Sequence, residues 1–269
     1  MNKKIGFIGC GKMASAIIGG VISSKFVDAD SITASEISVD AAEEKSKKLG
    51  IKVVTDNKEL VNNSEVVFIA TTPNFVEGVL NEIKDSVTPD KLVVSIAAGV
   101  TTNFIQNILP ENTRVVRVMP NTPALICEGM SGIAGGKSAT KDDVEFVKQL
   151  LLNIGKCIVV EESQIDIVTA ISGSGPAFFY QVIEDMARAG EKLGLDYEKS
   201  LLLATQTALG SAKMVFERGE LPVQTLIDNV ATKGGCTFVG IQTMKEENSE
   251  KLFFDVIDKT AEKSSQLGK

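Results

Sequence analysis

Short apolar runs alternate with amphipathic ones along the first part of the chain. The runs Lys4 to Gly9, Ser31 to Glu36, Lys52 to Val54, Glu65 to Ala70, Lys91 to Ala97, Thr113 to Met119 and Cys157 to Glu161 read as strands. Two of them, Glu65-Val-Val-Phe-Ile-Ala70 and Leu92-Val-Val-Ser-Ile96, are almost continuously apolar, the pattern of parallel strands covered on both faces. Between the strands, Met13 to Ile22, Asp40 to Leu49, Phe75 to Ile83 and Asp142 to Leu152 carry apolar residues at helical spacing. The last puts Val144, Phe146, Val147, Leu150 and Leu151 on one stripe. Such a series of strand–helix–strand units predicts a mostly parallel, doubly wound α/β sheet over residues 1–161.

From residue 162 to 269 the strand signals stop and an all-α domain is expected. Gly175-Pro176 opens a helix, with the proline suited to its first turn. Phe179, Val182, Ile183, Met186, Ala189 and Leu193 recur at helical spacing until Gly194. Asp196 can cap the next helix, which places Leu201, Thr205, Ala208, Ala212 and Val215 on one side and closes at Arg218-Gly219. Both helices are apolar around more of their circumference than a surface helix needs. One reading is a monomeric core. The other, preferred here, is a helical domain that pairs with a second subunit, giving a homodimer.

The charge balance is 28 Lys and Arg against 35 Asp and Glu, a net −7, which argues against non-specific nucleic-acid binding. There is no histidine, so Ser-His-Asp and Cys-His nucleophiles, His-ligated metals and imidazole-based dehydrogenases are excluded. Cys10, Cys127, Cys157 and Cys236 form no Cys-x-x-Cys pair, so neither a metal site nor a disulfide framework is expected. Met1-Asn2-Lys3-Lys4 runs straight into a strand too short for a signal peptide, and no run approaches membrane-spanning length. A cytoplasmic protein with no membrane partner is expected.

The chemistry begins where the first strand ends. Gly9-Cys10-Gly11-Lys12-Met13-Ala14 is a Gly-x-Gly-x-x-Ala turn between a strand and a helix. Gly9 permits the tight turn, Gly11 lets backbone approach a pyrophosphate, and Ala14 lets the helix pack close to the sheet. The helix start at Lys12 and Met13 then offers free N–H groups to phosphate. Glu36, at the end of the second strand, is placed to accept both ribose hydroxyls. Its neighbours Ser35, Ile37 and Ser38 include no arginine to receive a 2′-phosphate. The expected cofactor is a nicotinamide dinucleotide in a Rossmann domain, NADPH or NADH, with local charge favouring NADH.

Four segments, in order along the chain, carry a family likeness: Gly6-Phe-Ile-Gly-Cys-Gly-Lys-Met-Ala14, Val94-Ser-Ile-Ala-Ala-Gly-Val-Thr101, Arg117-Val-Met-Pro-Asn-Thr-Pro123 and Ser172-Gly-Ser-Gly-Pro-Ala177. Together they resemble the pyrroline-5-carboxylate reductases over essentially the whole chain. The resemblance implies a Rossmann domain followed by a helical dimerisation domain, and reduction of Δ1-pyrroline-5-carboxylate to L-proline with NAD(P)H. It also implies an active site between the cofactor domain of one subunit and the helical domain of the other, and allows larger rings of dimers. Asn57 and Ala70-Thr71-Thr72-Pro73 would line the cofactor. Ala97-Ala98-Gly99 would lie along the nicotinamide ribose, with Met119-Pro120-Asn121 near the reacting ring and Asn121 also at the substrate. Ser174, in a helix-opening turn without any evident base, would border the substrate pocket.

The segment Thr232-Lys233-Gly234-Gly235-Cys236-Thr237 would hold the substrate. Independently of the family, Thr237, Phe238, Val239, Ile241 and Met244 read as a helix, so Gly234 to Thr237 form its glycine-rich start. Unpaired N–H groups and a positive helix end suit a small carboxylate; the other reading is a plain turn with Thr237 as cap. Thr237 is the candidate catalytic residue, because a hydroxyl can donate to an imine nitrogen and accept from the amine that follows. The family usually has Ser-Pro-Gly-Gly-Thr-Thr here, and Val-Lys-Pro-Gln where this chain has Thr71-Thr72-Pro73-Asn74. Two alternatives stand beside the reductase. A β-hydroxyacid-type dehydrogenase would need a helix lysine such as Lys192 or Lys213, and a catalytically idle relative would bind dinucleotide only.

Overall fold

The apolar runs pair side by side as one sheet. In the computed structural model, which describes residues 3–267, the sheet holds β1 (Ile5–Ile8), β2 (Ile32–Ser35), β3 (Lys52–Val54), β4 (Val66–Ile69), β5 (Leu92–Ser95), β6 (Arg114–Met119), β7 (Gly129–Gly135) and β8 (Gly155–Val159). Their order is β3-β2-β1-β4-β5-β6-β7-β8. The first six are parallel; β7 runs antiparallel to β6, and β8 is parallel to β7. Reversal of strand order between β1 and β4 opens a crevice at their carboxyl ends. The expected α/β fold is therefore present, with a reversed pair of strands added at one edge.

Alternate strand residues face opposite layers. Phe7, Phe68, Leu92 and Val94 pack against α1 (Lys12–Ser23) and α6 (Lys141–Leu151), while Ile8, Val67, Ile69 and Val93 pack with Leu60, Leu80 and Ile105. Those three come from α3 (Asn57–Asn62), α4 (Pro73–Ile83) and α5 (Thr102–Ile108). The Phe7 and Phe68 rings stack with centroids 4.5 Å apart. The helix α2 (Val39–Leu49) starts where Ser38 accepts from the Ala41 N–H and ends at Gly50 in the left-handed region. A reciprocal Thr140–Asp143 capping box starts α6, which satisfies two otherwise orphaned donors.

The strand β7 was not anticipated, because Gly129-Met-Ser-Gly-Ile-Ala-Gly135 lacks the β-branched run that marks the others. Packing explains its glycines. A Cβ at Gly129 would lie 2.8 Å from the Ala124 Cβ, and one at Gly132 would lie 2.6 Å from Val168 Cγ1. The eighth strand spans Gly155–Val159, where sequence placed Cys157 to Glu161.

After β8 the chain is helical: α7 (Ile165–Val168), a π-turn Thr169–Gly173, α8 (Gly175–Lys192), α9 (Tyr197–Glu217), α10 (Val223–Val230), α11 (Cys236–Glu246) and α12 (Ser249–Leu267). Asp196 caps α9 by accepting from the Lys199 N–H. Strand signals end near residue 161, but by packing the sheet-bearing unit runs to Ser174 and takes up the chain again from Asp258; Gly175–Ile257 form a second unit. Arg117 on β6 ties residues beyond 161 to the sheet. Its Nη1 donates to Glu162 Oε1 at 3.0 Å, its Nη2 lies 3.8 Å from Asp166 Oδ1, and Ser264 Oγ on α12 donates to the same Asp166 oxygen at 2.7 Å. Residues 1, 2, 268 and 269 lie outside the described residues. Among the described residues, no helix is long and apolar enough to cross a membrane.

Candidate functional site

The crevice between β1 and β4 gathers several of the sequence candidates. A cleft of about 540 Å³ is lined by Gly9, Ser35, Glu36, Asn57 and Thr71, together with Ile37, Phe75 and Glu82. Gly9 has φ +91°, and a Cβ there would lie 2.9 Å from the Ala70 carbonyl oxygen, so only glycine fits where β1 and β4 end side by side. Gly11 precedes α1 with no side-chain cap, and a Cβ built on it meets nothing within 4 Å. Lys12 is exposed and Met13 half-buried in the first turn that follows, while Ala14 is buried against the sheet. The Thr71 hydroxyl is buried without a hydrogen-bond partner, an orphan of the kind that a polar ligand satisfies. These features fit a dinucleotide.

The floor of this cleft is tied by side chains. Ser35 Oγ donates to Asn57 Oδ1 at 2.6 Å, and Asn57 Nδ2 donates to Glu82 Oε2 at 2.9 Å. Both known hydrogen bonds of the Asn57 amide are thus internal. Thr72 leads into α4 with Pro73 in its first turn. The loop after β5 brings Ala97 inward and turns at Gly99, with Ala98 half-buried between them. Burial pushes the Cys10 thiol pKa up, more than the hydrogen bond with Ser15 pulls it down, so Cys10 behaves as a small protonated filler beside the glycine turn.

At the end of β6, Met119 and Asn121 meet the π-turn. A Cβ at Gly173 would lie 2.5 Å from Met119 Cε, and Asn121 Nδ2 donates to the Ser172 carbonyl at 3.0 Å. Ser174 closes the same turn through its N–H to the Thr169 carbonyl at 2.8 Å.

In the second unit, the Thr232-to-Thr237 segment folds as the start of α11. Gly234 turns at φ +84°, the Gly235 N–H donates to the Thr232 carbonyl at 2.9 Å, and Gly235 precedes the helix with no side-chain cap. Thr237 is therefore not the cap; it sits one residue into the helix and borders an apolar groove with Met214, Ile227 and Ile241. Lys233 and Cys236 are exposed. Lys192 and Lys213 are exposed on α8 and α9.

Comparison with known proteins gives two family matches. Residues 162–267 match the family model described as pyrroline-5-carboxylate reductase dimerisation, and residues 4–99 match one described as NADP oxidoreductase, coenzyme F420-dependent. A pyrroline-5-carboxylate reductase of Methanosarcina acetivorans is 42% identical over 268 residues, covering 100% of this chain and 99% of the relative. The chain belongs to the pyrroline-5-carboxylate reductase family. A solved member from Coxiella burnetii superimposes with a TM-score of 0.93 at 34% identity, covering 100% of both chains. Another, from Plasmodium falciparum with NADP bound, gives 0.88 at 31% identity over 100% of this chain and 99% of that one. Membership makes the chain an oxidoreductase with a nicotinamide dinucleotide cofactor.

Phe75 and Glu82 in the cleft, and Ser172 beside Asn121, escaped the sequence reading. Glu82 lies two turns beyond Phe75 on α4, and that seven-residue spacing on one helix face is a readable signal. The role of Ser172, through its carbonyl, is invisible to any reading of side chains. Among the described residues, no group of three His, Cys, Asp or Glu is arranged to hold a metal ion.

Proposed function

We propose that this chain reduces Δ1-pyrroline-5-carboxylate to L-proline with NADH in preference to NADPH, as a homodimer. The observation that carries the reading is the crevice at the β1–β4 reversal. It combines an uncapped glycine-led helix start, an orphaned Thr71 hydroxyl and an acidic end at Glu36. When bound, the nicotinamide supplies a hydride to the carbon of the C=N bond, and a proton reaches the nitrogen to give the cyclic amine. Gly11, Lys12 and Met13 hold the diphosphate through backbone N–H groups. Glu36 accepts the ribose hydroxyls, and with Glu82 on the same cleft it sets negative charge where a 2′-phosphate would lie. That is the basis for NADH.

The uncapped start of α11 holds the substrate carboxylate with the N–H groups of Cys236 and Thr237 and the positive helix end. Thr237 Oγ1 donates to the ring nitrogen. An imine is basic enough to be partly protonated in water, so orientation and exclusion of water do most of the work and no strong acid is needed. Dimer formation is supported by the match of residues 162–267 to a dimerisation family and by the apolar side chains that the second unit leaves uncovered.

The test follows the nicotinamide absorbance of purified protein with pyrroline-5-carboxylate and either cofactor. Turnover is expected with both and a higher kcat/KM with NADH. A strong NADPH preference would refute the charge argument. Turnover confined to hydroxyacids, or binding without turnover, would refute the reductase.

A further inference from the structure

Asn121 is 8% exposed, and both ends of its amide are engaged inside the sheet-bearing unit. Its Oδ1 accepts from the Met130 N–H at 2.8 Å, and its Nδ2 donates to the Ser172 carbonyl at 3.0 Å. The first bond continues the β6–β7 register by which Met119 faces Gly132, a side-chain oxygen standing in for a backbone one. The second bond reaches the π-turn. There the Ser174 N–H closes onto the Thr169 carbonyl, and Pro176, four residues after Ser172, has no N–H to offer the Ser172 carbonyl. The half-buried Ser172 carbonyl thus lacks the donor that an α-helix would supply four residues on, and Asn121 donates to it instead. The turn also rests on Met119, whose Cε occupies the space where a Cβ on Gly173 would go.

We propose that Asn121 is a positioning residue rather than a ligand. It latches the π-turn onto the end of β6, and so fixes Ser174 and Met119 relative to each other. The inference rests on the functional reading above together with the family likeness, which would put Met119 near the reacting ring and Ser174 at the border of the substrate pocket. Such a latch acts on the geometry of the reacting pair, so its loss shows in kcat and leaves dinucleotide affinity alone.

Asn121→Asp tests it at nearly constant volume. The aspartate still accepts from the Met130 N–H, but it turns a carboxylate oxygen toward the Ser172 carbonyl and opens the latch. Backbone hydrogen exchange over residues 169–175 is expected to speed up by about tenfold, the worth of one buried hydrogen bond. In the same variant kcat should fall by at least as much, with the NADH Kd unchanged within about twofold. If Asn121→Asp does not fold, Asn121→Ser, whose hydroxyl is too short to span both partners, should give the same pattern. Unchanged exchange would overturn the latch, and a loss of NADH affinity as large as the loss of kcat would make Asn121 a direct ligand instead. Inactivity of the unmodified protein toward the cyclic imine would sink the functional reading alone, since the exchange result does not depend on turnover.

Discussion

Glu36 and Thr237 are the residues on which cofactor choice and protonation turn. Two like charges about 4 Å apart near a protein surface repel by between about 1 and 4 kcal/mol, depending on the effective dielectric. Replacing Glu36 by serine should therefore raise the NADPH-to-NADH ratio of kcat/KM by about tenfold or more, measured side by side on one preparation. No change would show that Glu36 is a solvated strand end. Thr237→Val keeps the shape and deletes the hydroxyl. If the hydroxyl serves the ring nitrogen, kcat/KM for the imine should drop by about 100-fold while NADH titration gives the same Kd. The positions of both were legible in the sequence, a strand end for Glu36 and a glycine-led helix start for Thr237, and the structure puts Glu36 in the β1–β4 cleft and Thr237 in the first turn of α11. Asn57 was legible only through the family likeness. Its bonds to Ser35 and Glu82 join residues 22 and 25 positions away, which no local pattern reports.

Among the elements, the strands that repeat β-branched residues were readable and the one that repeats glycine was not. In β7 the residues that disguise the strand are those that packing demands, because Gly129 and Gly132 receive Ala124 and Val168 in the space of missing side chains. The π-turn was hidden because its mark is a backbone bond, the Ser174 N–H to the Thr169 carbonyl five residues back, which no pattern of side chains reports. Packing also decides which elements the sheet retains. Arg117, with 2% of its side chain exposed, is held by Glu162 and lies close to Asp166. Glu162 Oε1 in addition accepts from the Thr102 N–H at 3.1 Å. Arg117→Met would leave two carboxylates, each about a third exposed, without their cation, so a loss of about 1.5–3 kcal/mol is expected, the worth of a hydrogen bond to a charged group. Urea unfolding should show it as a lower midpoint at constant slope; a loss below about 1 kcal/mol would mean that water already screens the pair.

For the whole molecule, the decisive contrast is between the interiors of the two units. The sheet-bearing unit buries Phe7, Phe68, Leu80 and dozens of other apolar side chains, whereas the apolar residues buried in the described second unit are Ala187 and Ala204. Phe179 and Leu202 are 67% and 69% exposed there, and Leu209 and Phe254 are exposed as well. A set of helices that hides so little hydrocarbon falls short of the burial needed to offset chain entropy. Sequence periodicity foreshadowed this, since α8 and α9 carry apolar residues on more than one side. A second copy that covers these helices would supply the missing core, and unfolding would then be coupled to dissociation. Each tenfold rise in protein concentration should add about 1.4 kcal/mol to apparent stability, seen as a Tm that climbs by a few degrees per decade. Sedimentation at micromolar concentration should give twice the chain mass of 28.7 kDa. A monomeric mass with a Tm independent of concentration would remove the dimer, and with it the explanation of how the second unit stays folded.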